Sequence, residues 1–231
     1  MFHVEQHARL SALLETYSEH IGVHLDPEQL KQFMIYLEEL QTWNRSINLT
    51  SISSGEEIII KHFVDSFACL TIEQMRYGAN LLDVGTGAGF PGIPLKLVRP
   101  DLNITLIEPV QKKVSFLYFI VGLLRLEQVT IFYGTLEQFM AHGHHHQPFD
   151  YITTRALKYN VLLQNGPNLL ANRGRAILYL SHAINRSELS NHWSVVMEQR
   201  FDLPMNFGQR TILVLSNSGK ESFSVPRGTV N

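Results

Sequence analysis

The chain's foremost candidate for chemistry is the run LLDVGTGAGFPGIP at residues 81–94. An apolar, strand-like stretch carries Asp83 and then gives way to Gly85, Gly87, Gly89 and Gly92. Glycines so placed let backbone approach a bound molecule where a Cβ would stand in the way. A dinucleotide site asks for G-x-G-x-x-G. Here Gly85 and Gly87 fit, but Phe90 stands at the third place. Pro91 then removes an amide from the start of the next helix, where a pyrophosphate seeks N–H donors. The pattern present is Asp83-x-Gly85-x-Gly87-x-Gly89. It suits a nucleoside ligand without phosphate. S-adenosylmethionine is such a ligand, with a sulfonium, a zwitterionic amino-acid end, a ribose and an adenine.

Each part of that ligand finds a candidate. Asp83 can face its ammonium, directly or through water. Gly85, Gly87 and Gly89 let the backbone approach the methionine and the ribose. Glu108 ends the next strand, 23 positions after Gly85, where a carboxylate can take both ribose hydroxyls. LEQF (136–139) follows the third strand, and Leu136 and Glu137 are the candidates there for gripping adenine. The competing reading is a glycine-rich turn made only for helix–sheet packing.

The elements that must position these residues follow from pattern. Apolar residues recur at helical spacing over 3–20 and 27–44, the second opened by Asp26 and Pro27 as cap and first residue. Residues 56–76 read as a further helix. From about residue 80 strand-like runs appear at 81–84, 104–108, 129–134, 149–154, 175–180 and 211–216. Helical stretches sit between them, at 91–98, 111–125, 135–141, 157–171 and 185–191. Such alternation predicts an α/β fold, a parallel sheet with both faces covered. The expected organisation is a helical extension at 1–78, a Rossmann-like methyltransferase core at 79–217 and a tail at 218–231. Ligands of such sheets sit beyond the carboxyl ends of the strands, where strand order reverses.

Composition sets outer bounds. The 231 residues are 45% apolar and 17% charged, enough for one packed core, with a net charge of −2. The charge is uneven. Residues 1–40 carry Arg9 and Lys31 against seven acids, a net of −5. Residues 91–125 carry Lys96, Arg99, Lys112, Lys113 and Arg125 against Asp101 and Glu108, a net of +3. A local basic face can hold a polyanion; a solvated helix surface accounts for the same residues. One cysteine, Cys69, excludes a disulfide framework and a thiolate zinc site. HGHHH (142–146) has no partners at ligand spacing and reads as a solvated loop, so no metal is expected. A polar start and the lack of a long apolar run lead to a cytoplasmic expectation, with no membrane contact.

Five stretches carry a family resemblance: WNRSINLTSI (43–52), KHFVDS (61–66), LLDVGTGAGFPGIPLKLVRP (81–100), TLIEPVQKKVSFL (105–117) and TTRAL (153–157). In this order they resemble the bacterial small-subunit ribosomal RNA guanine-N7 methyltransferases, also called the glucose-inhibited division protein B family. The G-F-P-G-I-P block is the most specific part. The resemblance implies transfer of a methyl group from S-adenosylmethionine to N7 of a guanine in 16S rRNA. It also implies cofactor contacts at Gly85, Phe90, Leu136, Glu137 and Arg155. One departure stands out: Leu180, Ser181 and His182 occupy the place of the family's leucine-lysine-glycine stretch.

The chemistry agrees with what the sequence lacks. N7 of guanine offers an in-plane lone pair and no proton to remove, so alignment matters more than acid–base help. No catalytic residue beyond positioning is expected. No N-P-P-Y-like stretch follows the fourth strand, and Cys69 follows alanine in an apolar run, away from strand ends. Both absences favour ring-nitrogen methylation over amine or C5 methylation. Arginine reads guanine through O6 and N7 together, which would occupy the nucleophile. Arg155 is therefore assigned to the cofactor carboxylate or an RNA phosphate, with a plain surface arginine as the alternative. Lys61, His62 and Asp65 brace the loop, receive RNA or form an ordinary polar helix face. Lys61, Lys112, Lys113 and Arg125 are the candidates for RNA contact. The expected partner is 16S rRNA or the small ribosomal subunit, and the expected state a monomer without an obligate protein partner. A small-molecule methyltransferase and a non-catalytic S-adenosylmethionine-binding protein stay open; a nicotinamide oxidoreductase is disfavoured by Phe90 and Pro91.

Overall fold

A computed structural model describes residues 2–143, 147–155, 159–181 and 184–219. Helix α1 (Phe2–His20) leads into α2 (Pro27–Ile47). Asp26 opens α2 by accepting the Gln29 amide at 2.8 Å, while Gln29 Oε1 accepts the Asp26 amide at 2.9 Å. This reciprocal cap satisfies two amides that helix geometry leaves unpaired. Asn48, in the left-handed region at φ 52°, ends the helix.

The stretch read as one helix over 56–76 is a composite ending at residue 71. It runs through α3 (Gly55–Ile58), a π-helical turn (Ile59–Val64), α4 (Asp65–Phe67) and a 3-10 turn (Ala68–Thr71). The wide turn holds Lys61 and His62; such turns are rare and cluster at functional sites.

Strands and helices then alternate as β1 (Asn80–Val84), α5 (Gly92–Val98), β2 (Asn103–Glu108), α6 (Gln111–Leu123), β3 (Val129–Tyr133), α7 (Leu136–Ala141), β4 (Phe149–Thr154), α8 (Tyr159–Leu169) and β5 (Leu170–Leu180). After these come β6 (Trp193–Asp202) and β7 (Gln209–Asn217). The sheet order is β3-β2-β1-β4-β5-β7-β6. The first five strands are parallel; β7 is antiparallel to β5, and β6 to β7. The all-parallel expectation is thus corrected at one edge. The helix expected over 185–191 is a 3-10 turn at Arg186–Glu188, and β6 was not foreseen. Strand β5 also begins ahead of Gly174 rather than after it.

Alternation along each strand splits the core in two. Leu81, Ile104, Leu106, Ile177 and Val214 face the side covered by α1, α2, the composite helix, α5 and α6. Leu82, Ile107, Ile152, Leu178 and Leu213 face α7 and α8. The helices ahead of β1 therefore share one core with the sheet. Among the described residues no helix is long and apolar enough to cross a membrane.

Strand order reverses between β1 and β4. The carboxyl ends of β1, β2 and β4 flank that crevice, and the loop after β1 is residues 85–91.

Candidate functional site

The glycine loop is held by its own neighbours. The amides of Gly85 and Thr86 both donate to the Ile107 carbonyl, at 2.9 and 3.0 Å. Asp83 Oδ2 accepts from the Thr86 hydroxyl at 2.6 Å and the Gly92 amide at 2.8 Å. Asp83 is fully buried and braces the loop from behind. Burial pushes its carboxyl up to about 6, against the bonds from Thr86 and Gly92 and the charge of Arg155.

The glycines serve different ends. A Cβ at Gly87 would meet nothing within 4 Å, and the residue sits at φ +64°, so it opens the loop outward. A Cβ at Gly92 would lie 2.4 Å from Leu106 Cδ2 and 2.9 Å from Asp83 Oδ2. Gly92 lets α5 lie against the sheet. Gly89 is closed on a different side: its Cβ would stand 2.8 Å from the Tyr36 hydroxyl. That hydroxyl donates to the Ala88 carbonyl at 2.5 Å, across 52 residues. Helix α2 thus pins the crest of the loop, a contact no local sequence signal announces.

Glu108 ends β2 as expected. Its Oε2 accepts the Gly87 amide at 2.8 Å and its Oε1 the Val110 amide at 2.9 Å. Each oxygen keeps a lone pair for a further donor. At the next strand end the Gly134 amide donates to the Glu108 carbonyl at 3.1 Å. Thr135 and Gln138 then cap α7 reciprocally, at 3.3 and 2.8 Å. Leu136 and Glu137 are the first residues of α7, where helix geometry supplies no carbonyl for their amides. The Leu136 side chain is in the core and that of Glu137 is exposed.

Phe90 turns inward. Its ring stacks on His62 with centroids 4.4 Å apart and on Tyr36 at 5.5 Å. The ring thus belongs to an aromatic layer between loop and helices. Arg155, at the end of β4, also reaches inward. Its Nη2 lies 2.8 Å from His62 Nδ1 and its Nη1 3.5 Å from Asp65 Oδ2. Arg210, from the start of β7, approaches the same Asp65 oxygen at 3.4 Å. The other oxygen, Oδ1, is buried without a hydrogen-bond partner. Burial raises the Asp65 pKa; Arg155 and Arg210 oppose it. Sequence reasoning placed Lys61, His62, Asp65 and Arg155 but missed Tyr36, Thr86 and Arg210.

The +3 segment does not form one basic face. Lys96 is buried, its Nζ donating to the carbonyls of Pro100 and Leu102 at 2.7 and 2.6 Å. Arg99 pairs with Asp101 at 2.7 Å. Lys112 and Lys113 begin α6 beside Glu108, whereas Arg125 follows its far end. The 13-residue helix separates them by ~20 Å, so Arg125 stands at the amino ends of the strands, away from Lys112 and Lys113. Lys61 sits on the Arg155 side, paired with Glu57 at 2.6 Å and over the Phe207 ring at 4.8 Å. Cys69 is buried, its thiol pushed up to about 12 by burial. His144–His146, His182 and the tail from Lys220 lie outside the described residues. Among the described residues no three metal-ligating side chains gather.

Residues 29–212 match the family described as rRNA small subunit methyltransferase G. The chain belongs to that family. A ribosomal RNA small subunit methyltransferase G from Desulfitobacterium hafniense is 40% identical over 164 residues, 68% of this chain and 67% of the relative. Its counterpart from Roseiflexus castenholzii is 40% identical over 68% of this chain and 70% of its own length. The one from Alkaliphilus metalliredigens is 38% identical over 66% and 64%. The chain thus spans about two thirds of the length of these methyltransferase G relatives. Among solved structures, TrmN from Thermus thermophilus superposes with a TM-score of 0.56 at 18% identity, covering 67% of this chain and 48% of that one. Precorrin-6y C5,15-methyltransferase from Geobacter metallireducens gives 0.54 at 11% identity, covering 66% and 86%. At such identities the likeness speaks for the fold, a Rossmann-like methyltransferase sheet.

Proposed function

We propose that this chain is an S-adenosylmethionine-dependent methyltransferase acting on N7 of a guanine in 16S rRNA. One observation carries the cofactor half of this reading: Glu108, at the carboxyl end of β2, ties down the Gly87 amide at 2.8 Å. Gly87 in turn has open space where a side chain would be. A carboxylate with spare lone pairs beside exposed backbone fits a ribose and an amino-acid chain lying across the loop. S-adenosylmethionine supplies, when bound, a methyl group on positively charged sulfur.

The chain's own residues then bind and orient. Gly85 and Gly87 admit the ligand to the backbone. Glu108 accepts from the ribose hydroxyls, and the backbone at Leu136 and Glu137 meets the adenine. Asp83, through Thr86 and Gly92, keeps the loop's shape from behind. The acceptor guanine enters on the side of Arg155, between β4 and the helices that precede β1. Its N7 brings its own lone pair, so no side chain has to remove a proton, and the work left is alignment. Lys112 and Lys113 beside Glu108, and Lys61 across the crevice, receive phosphates. Residues 1–78 act as a helical extension that shapes RNA access to the core at 79–217. The protein works as a monomer in the cytoplasm on 16S rRNA or the small subunit.

Mass spectrometry of 16S rRNA from cells with and without this protein tests the reading. Loss of one 7-methylguanosine is the expected result, and an unchanged modification profile rejects it.

A further inference from the structure

We propose that His62 is a positioning residue for Arg155, setting the guanidinium at the end of β4 where an anionic ligand group is received. The anion is a carboxylate of the methyl donor or a phosphate of the RNA, and to that extent the inference rests on the proposed function.

The bonding leaves one arrangement. A guanidinium has donors and no acceptor. Across the 2.8 Å contact between Arg155 Nη2 and His62 Nδ1, the imidazole nitrogen must therefore offer its lone pair. Nε2 then carries the ring proton and donates to Thr50 Oγ1 at 2.9 Å. That oxygen also accepts the Ile52 amide at 3.1 Å, which holds it in place. The ring lies on Phe90 at 4.4 Å with a 16° tilt, so it has no freedom to turn. His62 is neutral, in one tautomer and in one plane.

The other contacts of Arg155 do not fix it as tightly. Its Nη1 stands 3.4 Å from the His62 carbonyl, 3.4 Å from the Ser66 hydroxyl and 3.5 Å from Asp65 Oδ2. All exceed the usual range for such bonds. Asp65 contributes countercharge rather than geometry, since it shares Oδ2 with Arg210 at 3.4 Å and leaves Oδ1 unpartnered. The imidazole gives the one short bond to the guanidinium among the described contacts. The charge of Arg155 acts on two buried carboxylates, Asp65 and Asp83, and that of Arg210 on Asp65.

Protonation would undo the arrangement. An imidazolium has no lone pair at Nδ1 and would face Arg155 from β4, Arg210 from β7 and Lys61 on its own turn, with Asp65 as the nearby carboxylate. Burial first, and then the charge of Arg155, hold the His62 pKa well below the ordinary value.

Two substitutions test the assignment. His62→Phe keeps a ring against Phe90 but offers no acceptor; His62→Asn places an amide oxygen near the position of Nδ1. Two arms identify the anion. Calorimetry compares S-adenosylhomocysteine with 5′-methylthioadenosine, which lacks the carboxylate, and turnover on small-subunit particles gives KM for RNA. The expected result is a loss of about tenfold or more for His62→Phe. It falls either in S-adenosylhomocysteine affinity, sparing methylthioadenosine, or in KM for RNA. Arg155→Gln should lose in the same arm, the double variant should be no worse than Arg155→Gln, and His62→Asn should recover most of the loss. A folded His62→Phe unchanged in both arms, losses that add to those of Arg155→Gln, or His62→Asn as deficient as His62→Phe would each overturn the proposal. The ring nitrogens give a readout without any ligand. The 15N spectrum should show Nδ1 bare and Nε2 protonated through pH 6, with titration moving toward the ordinary histidine range in Arg155→Gln. A wild-type protein that binds neither nucleoside would end the functional reading while leaving this spectrum to decide the His62–Arg155 contact. An Nδ1-protonated ring there would overturn it.

Discussion

The glycine-loop half and the Arg155 half of the strand-end crevice meet at Phe90, yet their bonds differ in kind. On the loop side, the two carboxylates accept short bonds of 2.6–2.9 Å from backbone amides and the Thr86 hydroxyl. On the arginine side, Asp65 has contacts of 3.4 and 3.5 Å through a single oxygen, with Oδ1 left over. The first half is complete in itself and presents backbone to a small ligand. The second holds its arginines by long contacts and leaves one carboxylate oxygen unmatched. Short, mutually satisfied bonds hold the loop in one shape. Long, shared contacts leave the arginine side adjustable.

Breaking the loop half should give the largest effects. Glu108→Ala leaves the amides of Gly87 and Val110 without their acceptor and removes a charged hydrogen-bond partner, worth about 1.5–3 kcal/mol. Calorimetry with S-adenosylhomocysteine should show a drop of that size, and unchanged affinity would take Glu108 out of the site. Next comes Gly92→Ala, which drives a methyl into Leu106 and Asp83. Overpacking of this kind costs about 1–3 kcal/mol, to be read as a lowered urea midpoint. Gly87→Ala should lower both: its methyl meets no protein atom, but φ +64° strains an alanine by about 1–2 kcal/mol, and cofactor affinity should fall beyond that loss. Tyr36→Phe keeps the aromatic packing but leaves the buried Ala88 carbonyl without its donor, which should cost about 1–3 kcal/mol of stability, read as a lowered urea midpoint.

Asp83 and His62 should answer pH with opposite sign, and Asp65, also raised by burial, with the sign of Asp83. Asp83 titrates at 3.8 when unfolded and at about 6 when folded. Between those values the folded state holds more protons, so this group's contribution falls as pH rises and is lost above about 6. The unfolded His62 ring takes a proton below about 6.5 that the folded ring refuses. Its contribution is present above that pH and lost as pH falls. Asp83 and Asp65 thus slope the stability curve down with rising pH while His62 slopes it up. Asp83→Asn and His62→Phe should tilt the curve in opposite directions in urea titrations across that range. The smallest effect expected is at Arg125: Arg125→Ala should leave the salt dependence of RNA binding unchanged, whereas Lys112→Ala lowers its slope by about one.

Legibility in the sequence followed the range of the signal. The glycine block and Glu108 could be placed because a buried strand, a turn and a helix start are written within a few adjacent residues. The same locality gave the parallel strands and the opening of α2. Strand β6 was lost because it is an edge: Glu198 and Arg200 lie on it, bonded to Arg186 and to each other, and charged edge strands blur the apolar pattern. Arg125 and Lys112 share one charge run, but only the length of α6 reveals that they stand at opposite ends. The contacts of Tyr36 with Ala88 and of His62 with Arg155 span 52 and 93 residues. No window of sequence contains both partners, and the side chains involved are ordinary helix residues until the chain has folded around them.

The bond from Tyr36 to Ala88 bears on how the chain is made. During synthesis α2 emerges while its docking partner, 52 residues downstream, is still unwritten. Phe33, Tyr36 and Leu40, all buried in the finished protein, must therefore spend that interval without β1 or the loop to cover them. The loop is pinned late, when its crest closes onto a tyrosine that has been waiting for it.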